Sequence, residues 1–323
     1  MKLRIVSTAV VAGILLLSAS SGFTQQTISP NEWVEKIGQG SVNWSAGYIE
    51  AVGIGAPPDS SAGRINARPM ALRAAKVDAY RNLLEITKGV QVDSATIVRD
   101  FTVESDVVST QIEGLVKGAY VVDQQYMSDG TVEVRMRMPL YGNLSGVIVP
   151  LAIEKQKETP PAPAPPASEE SPAPVPPPPA TPVPAPPVPA TPAPAPEPAA
   201  TTPAPPTAAP VVYTGLVVDA RGIGARPAMS PRIFDEEGKE IYGSANVERE
   251  YAVSQGMSGY ARDLTAAQSN QRVTANPITV KAIRSSGSGK ADLVISNADA
   301  KAIFASAENE AFMKKCRVMI VLD

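Results

Sequence analysis

The sequence predicts an α+β protein built as two small α+β domains joined by a disordered, polyproline-II, proline-rich linker. Three observations carry this reading. A proline–alanine tract from Pro160 to Pro210 holds 24 of the chain's 33 prolines. Before it, a long helical pattern is followed by alternating strand patterns; after it, strands and a helix alternate again. A tract so poor in large apolar side chains cannot bury enough surface to offset its ordering entropy. Repeated proline fixes φ and removes backbone donors, which favours extended polyproline II. At roughly 3.1 Å per residue it would reach on the order of 150 Å. It is therefore expected to be a spacer that holds two bodies apart. The layout is a leader over 1–25, domains over 30–150 and 211–323, and the linker over 159–210. Each domain is long enough for its own core.

The leader begins with Lys2 and Arg4, runs apolar from Ile5 to Leu17, and leaves through small residues from Ser18 to Gly22. That order is a secretory signal peptide. The apolar run is shorter than the ~20 residues of a membrane span, and no cysteine lies near its exit to be lipidated. The mature chain is expected in the periplasm or at the cell surface, with no transmembrane span after leader removal. Net charge is −3, falling to −5 without Lys2 and Arg4, so no basic footprint points to nucleic acid. The chain has no histidine, which excludes Ser-His-Asp and Cys-His catalysis and histidine-ligated zinc. Its one cysteine, Cys316, excludes an internal disulfide. Lying in an apolar C-terminal strand, it reads as a buried small hydrophobe.

In the first domain, Val42 to Val52 reads as a strand ending in a turn at Gly53-Ile54-Gly55-Ala56-Pro57-Pro58. A dinucleotide site is rejected there, because the third glycine is missing and the prolines cannot open the required helix. The clearest helix spans Ala67 to Lys88. Pro69 sits in its first turn and Gly89 closes it. Leu72, Ala75, Ala79, Leu83 and Ile86 share one face, and alanine lets that face approach a sheet closely. Arg73, Lys76, Asp78, Arg81 and Glu85 fall off it and read as a solvated surface. Val90 to Val98 reads as a strand. Asp106 to Lys117 reads as a short helix carrying Val107, Val108, Ile112 and Leu115. A hairpin follows, Ala119–Met127 and Thr131–Met138, around Ser128-Asp129-Gly130. Its second strand alternates Val132, Val134, Met136 and Met138 against Glu133, Arg135 and Arg137. A three-residue loop, with Gly130 left-handed, aligns Tyr120, Val122 and Tyr126 with Met138, Met136 and Val132.

The run Ala67-Arg68-Pro69, then Arg73 through Glu85, Gly89-Val90, Gly118-Ala119 and the Asp129-Gly130 hairpin resembles a bacterial family. This is the twenty-kilodalton envelope lipoprotein family (LPP20-like), related to the N-terminal domain of flagellar assembly protein T. The resemblance covers roughly residues 45 to 140. It implies an α+β domain on the envelope side of the cell, used in surface or ring assemblies, with no catalytic residues to carry over. The lipidated cysteine is missing here, so membrane anchoring is not implied.

In the second domain, Leu216–Ala220 is a strand leading into Gly222-Ile223-Gly224-Ala225-Arg226-Pro227. This repeats the Gly-Ile-Gly-Ala of Gly53–Ala56; an internal duplication or a strand-to-turn device used twice both explain it. Arg232 to Tyr242 reads as a hairpin around Asp235-Glu236-Glu237, whose acids lack the alternate spacing of a calcium loop. Ser286-Gly287-Ser288-Gly289-Lys290 mimics the tail of a P-loop, but Arg284 and Ala291 break the pattern, leaving a flexible loop. Ile278–Ile283 and Leu293–Ser296 read as strands, Ala298–Lys314 as a helix capped by Asn297, and Arg317–Leu322 as a closing strand.

No residue is assigned a catalytic, cofactor-binding or metal role, and no cofactor is expected. The expected function is a non-enzymatic structural or adaptor component of the bacterial envelope. Its candidate partners are flagellar components, outer-membrane proteins and peptidoglycan. Two alternatives remain: an exported binding module for a glycan or small ligand, and a carboxylate-based hydrolase using acids such as Asp123, Asp219 and Glu240. Aromatic residues make up only 5% of the chain, which weighs against a sugar-stacking cleft. A pocket gathering two carboxylates would favour the hydrolase; an uncovered edge strand would favour the adaptor.

Overall fold

The computed structural model describes residues 29–61, 64–158, 212–305 and 307–323. The leader and the proline tract lie outside the described residues. The first lobe is an antiparallel sheet of β1 (Val34–Ile37), β2 (Gly40–Asn43), β3 (Tyr48–Gly55), β4 (Tyr120–Tyr126) and β5 (Val132–Pro139). The spatial order is β1-β2-β3-β5-β4. Helix α1 (Ala67–Gly89) lies over β3 and β5, in contact with α2 (Val98–Glu104) and α3 (Asp106–Lys117). As the periodicity predicts, α1 buries Ala75, Ala79, Leu83 and Ile86, together with Ala71. They meet Ile49 and Ala51 of β3 and the buried row Val132, Val134, Met136 and Met138 of β5.

Several expectations change here. Gly53 and Gly55 belong to β3 and not to a turn. A Cβ on Gly53 would lie 2.1 Å from Ala79 N, and one on Gly55 2.3 Å from Ala71 O. These glycines are needed because they lack a side chain, so that helix and strand backbones touch. Asp78 is not simply solvated: its carboxylate accepts from Ile54 N at 3.0 Å, while Asn82 Nδ2 donates to Val52 O at 2.7 Å. The single strand expected over Val42–Val52 is two, β2 and β3, parted by a turn at Gly47 (φ +72). Val90–Val98 is not a strand; only Gln91 bridges Ile97, across a turn where Asp93 Oδ1 accepts from Ala95 N and Thr96 N.

The hairpin keeps its three-residue loop. Gly130 has φ +88 and Tyr126 faces Val132. A bulge between Val121 and Asp123 then shifts the register, so that Met136 faces Val121 instead of Val122, and Tyr120 faces Arg137 instead of Met138. Beyond β5, the chain kinks at Gly142 (φ +81) into α4 (Ser145–Glu158). This helix has no counterpart among the expected elements, since Pro150 lies inside it.

The second lobe comprises β6 (Gly215–Asp219), β7 (Ile233–Phe234), β8 (Glu240–Tyr242), α5 (Arg249–Gln255), β9 (Gly259–Ala261), α6 (Leu264–Gln268), β10 (Pro277–Ser286), β11 (Asp292–Ile295), α7 (Asn297–Ile303), α8 (Ala307–Lys314) and β12 (Val318–Val321). Its mixed sheet runs β8-β7-β11-β10-β6-β12-β9. Strand β6 is parallel to both β10 and β12. That central position explains the unbroken apolar run Leu216-Val217-Val218, fully buried on both faces. The expected helix 298–314 is two helices, and its cap is Ser296, whose hydroxyl accepts from Asp299 N at 3.0 Å. Gly222 and Gly224 are left-handed, at φ +82 and +64. The two Gly-Ile-Gly-Ala elements therefore do different jobs, and the two sheets differ in topology, so nothing here supports a duplication.

The expected separation of the lobes is overturned. Asn31–Asp323 form one compact unit, and a single apolar cluster runs from Val42 of the first lobe to Leu322 of the second. Trp44 meets Tyr260 edge to face at 5.7 Å, and Ser45 Oγ donates to Tyr260 O at 2.6 Å. Helix α4 buries Ile148, Val149 and Ala152 and packs on α5, with Ser145 Oγ donating to Val253 O. Both flanks of the proline tract, α4 and β6, sit on this one body.

Candidate functional site

The Ser286–Lys290 loop grips the other lobe instead of hanging free. Gly289 N and Ser288 Oγ both donate to Ser94 O, at 2.6 and 2.8 Å. Ser94 Oγ donates to Ser286 O at 3.2 Å and accepts from Asp292 N at 2.7 Å. Gly287 has φ +79, and a Cβ there would lie 2.3 Å from Ser94 Cβ. Beside this clasp, Met229 N and Ser230 N donate to Gln91 O and Val92 O at 3.1 and 2.7 Å. The donors that suggested a phosphate cradle are committed to a serine of the first lobe.

The three carboxylates singled out from sequence are not brought together. Asp123 lies exposed on β4 and accepts from Gln125 Nε2 at 3.1 Å. Asp219 ends β6 in a two-point pair with Arg221, both contacts at 2.8 Å. The Arg221 hydrogen bonds hold its pKa below the ordinary carboxylate value. Glu240 lies on β8, four strands from β6, which is about 19 Å across the sheet at ~4.8 Å per strand. Burial pushes the Glu240 pKa up; the charge of Arg232 opposes this and that of Asp292 adds to it. Asp292 carries no sequence signal, since it opens an apolar strand, yet it is buried and pairs with Arg232 at 2.7 Å. Burial raises its pKa too, against the pull of that arginine.

The acidic turn is also accounted for. Asp235 Oδ1 accepts from Glu237 N and Lys239 N at 3.0 and 2.8 Å, and Glu236 Oε2 accepts from Asn297 N at 2.9 Å. These acids serve turn and helix donors, not a common centre. Among the described residues no group of three or more His, Cys, Asp or Glu side chains is placed to hold a metal. Cys316 is buried, just ahead of β12, and burial pushes its thiol up to about 11.

Strand β4 is one of the two edges of the first sheet, and no strand pairs with its outer side among the described residues. The bond from Met127 N to Thr131 O, 2.9 Å, sets the phase of the β4–β5 ladder. Tyr126 and Gln124 then occupy non-hydrogen-bonded positions opposite Val132 and Val134. Their N–H and C=O groups turn to the free edge of the sheet. Around them Tyr120, Val121, Tyr126 and Met127 are 52, 36, 47 and 42% exposed. The Arg68 guanidinium lies 5.9 Å from the Tyr126 ring centre. Sequence pattern shows β4 as a strand but not as an edge, because its outer neighbour is decided by the sheet order.

Fold and surface thus define a class: a two-lobed α+β protein, fastened by a polar clasp, with a strand edge at β4 that is unpaired among the described residues. Residues 215–323, the second lobe from the start of β6, match the family described as Treponema pallidum Tp0624, second domain. No curated protein matches the chain. Among the described residues no helix is long and apolar enough to cross a membrane.

Proposed function

We propose that this chain is an exported, non-enzymatic structural or adaptor component of a bacterial envelope, working through its surfaces. The observation that carries the reading is β4, an outer strand whose backbone groups at Gln124 and Tyr126 meet no further strand among the described residues, with four exposed apolar side chains beside it. Such an edge accepts an extended segment of another protein as one more strand. The signal-peptide pattern and the resemblance of residues 45 to 140 to the twenty-kilodalton envelope family support the setting. Flagellar components, outer-membrane proteins and peptidoglycan are the partner classes this reading proposes. The test is cross-linked capture from bacterial envelopes with the full chain and with its Gln124→Pro variant. The reading expects a partner held by the first and lost by the second. Equal capture by both removes β4 as the contact.

A further inference from the structure

Behind the clasp, where the lobes join, four charged side chains gather. Arg232, just ahead of β7, donates to Asp292 at the start of β11, Nη2 to Oδ2 at 2.7 Å and Nε to Oδ1 at 3.4 Å. Glu240 of β8 and Asp93 of the first lobe also act on that guanidinium. Asp292 and Asp93 are buried and Glu240 is half-buried. The seam between the lobes runs through this group. Asp292 N donates to Ser94 Oγ at 2.7 Å, and Ser230 N donates to Val92 O at 2.7 Å. Asp93 Oδ1 accepts from Ala95 N and Thr96 N, while its Oδ2 takes only Gln156 Nε2, at 3.4 Å. Among the described residues Asp292 alone of the three acids forms an ion pair. Lys239, Glu248 and Lys314 line a hollow together with Glu240, and neither lysine pairs with it.

One guanidinium cannot neutralise three carboxylates, and unmatched charge inside a seam is costly. The closed seam therefore favours a proton on the cluster. Burial holds Asp292 and Glu240 above the ordinary carboxylate value, against the pull of Arg232, and the charge of Asp292 adds to the rise at Glu240. Opening the seam returns water to these acids and restores their ordinary behaviour. Proton uptake and closure are then linked, each favouring the other. We propose that the Arg232–Asp292–Glu240 cluster, with Asp93 across the seam, is a proton-operated latch. In mild acid it fastens the lobes more tightly; near neutrality it loosens the hold of residues 286–292 on Ser94. Because the closed form binds the proton more strongly, the gain is fully present below the ordinary carboxylate value of about 4. It is lost as pH rises through the higher values of the closed form. The latch rests on the joining of the lobes and is independent of the adaptor reading.

The experiment is amide hydrogen exchange of the full chain, read by mass spectrometry from about pH 4.5 to about pH 7.5 and corrected for intrinsic exchange. The segment 286–295 carries the Gly289 and Asp292 amides that bond Ser94. Its protection is expected to fall about threefold or more across that range. The central strand Gly215–Asp219 should show no such fall, which separates a local latch from a change in overall stability. Glu240→Gln removes one acid and keeps the Arg232–Asp292 pair. It should raise the protection of 286–295 at the neutral end and flatten its pH dependence. The parent's own profile tests the latch without any substitution. Protection of 286–295 that stays constant or grows with pH, or that falls equally in Gly215–Asp219, overturns the proposal. So does a folded Glu240→Gln variant whose profile matches the parent's.

Discussion

At Gly53 an added Cβ would lie 2.1 Å from Ala79 N and 2.3 Å from Ala75 O, both backbone atoms that cannot swing aside. Gly53→Val is therefore expected to cost about 3 kcal/mol, read as a lower urea midpoint at unchanged slope. The sequence shows this glycine but not its reason, since a turn glycine and a contact glycine look alike until the helix is placed. Asp219 makes a different prediction. Arg221 holds its folded pKa below the value near 4 of an unfolded carboxylate. Its contribution to stability is thus fully present above about pH 4 and drains away as pH falls through the lower folded value. Asp219→Asn should be less stable than the parent at pH 7, with the difference closing in acid, as thermal melts at stepped pH would show. Equal melting differences at pH 7 and pH 2 would contradict that pairing.

Among elements, β4 and α1 mark opposite limits of what periodicity reveals. Helix α1 was legible because its buried face repeats every three to four residues and its neighbours are its own. Strand β4 was legible as a strand, and its loop as three residues, because Gly130 must be left-handed. The bulge at Val122 was not, since it answers to the shape of the whole sheet. The element-scale prediction is that Gln124→Pro leaves the fold intact, within about 1 kcal/mol, because its N–H faces away from β5 and proline is tolerated there. Envelope capture is the readout that should change. A collapse of stability would instead show that the Gln124 N–H lies inside the ladder.

For the whole molecule, the one-body arrangement makes a prediction opposite to that of a spacer. Proteolytic cleavage within 159–211 should leave the two halves eluting together and melting in one transition, held by Trp44–Tyr260, the α4–α5 contact and the Ser94 clasp. Two folded halves that elute separately would contradict it. The sequence by itself determined the α+β class, helices α1 and α3 and the central strands, the cysteine's burial, and the exclusion of histidine chemistry. Those follow from local periodicity and composition, which act over a few residues. Only the tertiary structure decided that the lobes interlock, that a glycine-rich loop wraps Ser94 almost two hundred residues away, and that β4 is left at an edge. Such contacts join residues distant along the chain, and their energies depend on shape and on which donors remain unpaired once every element is in place.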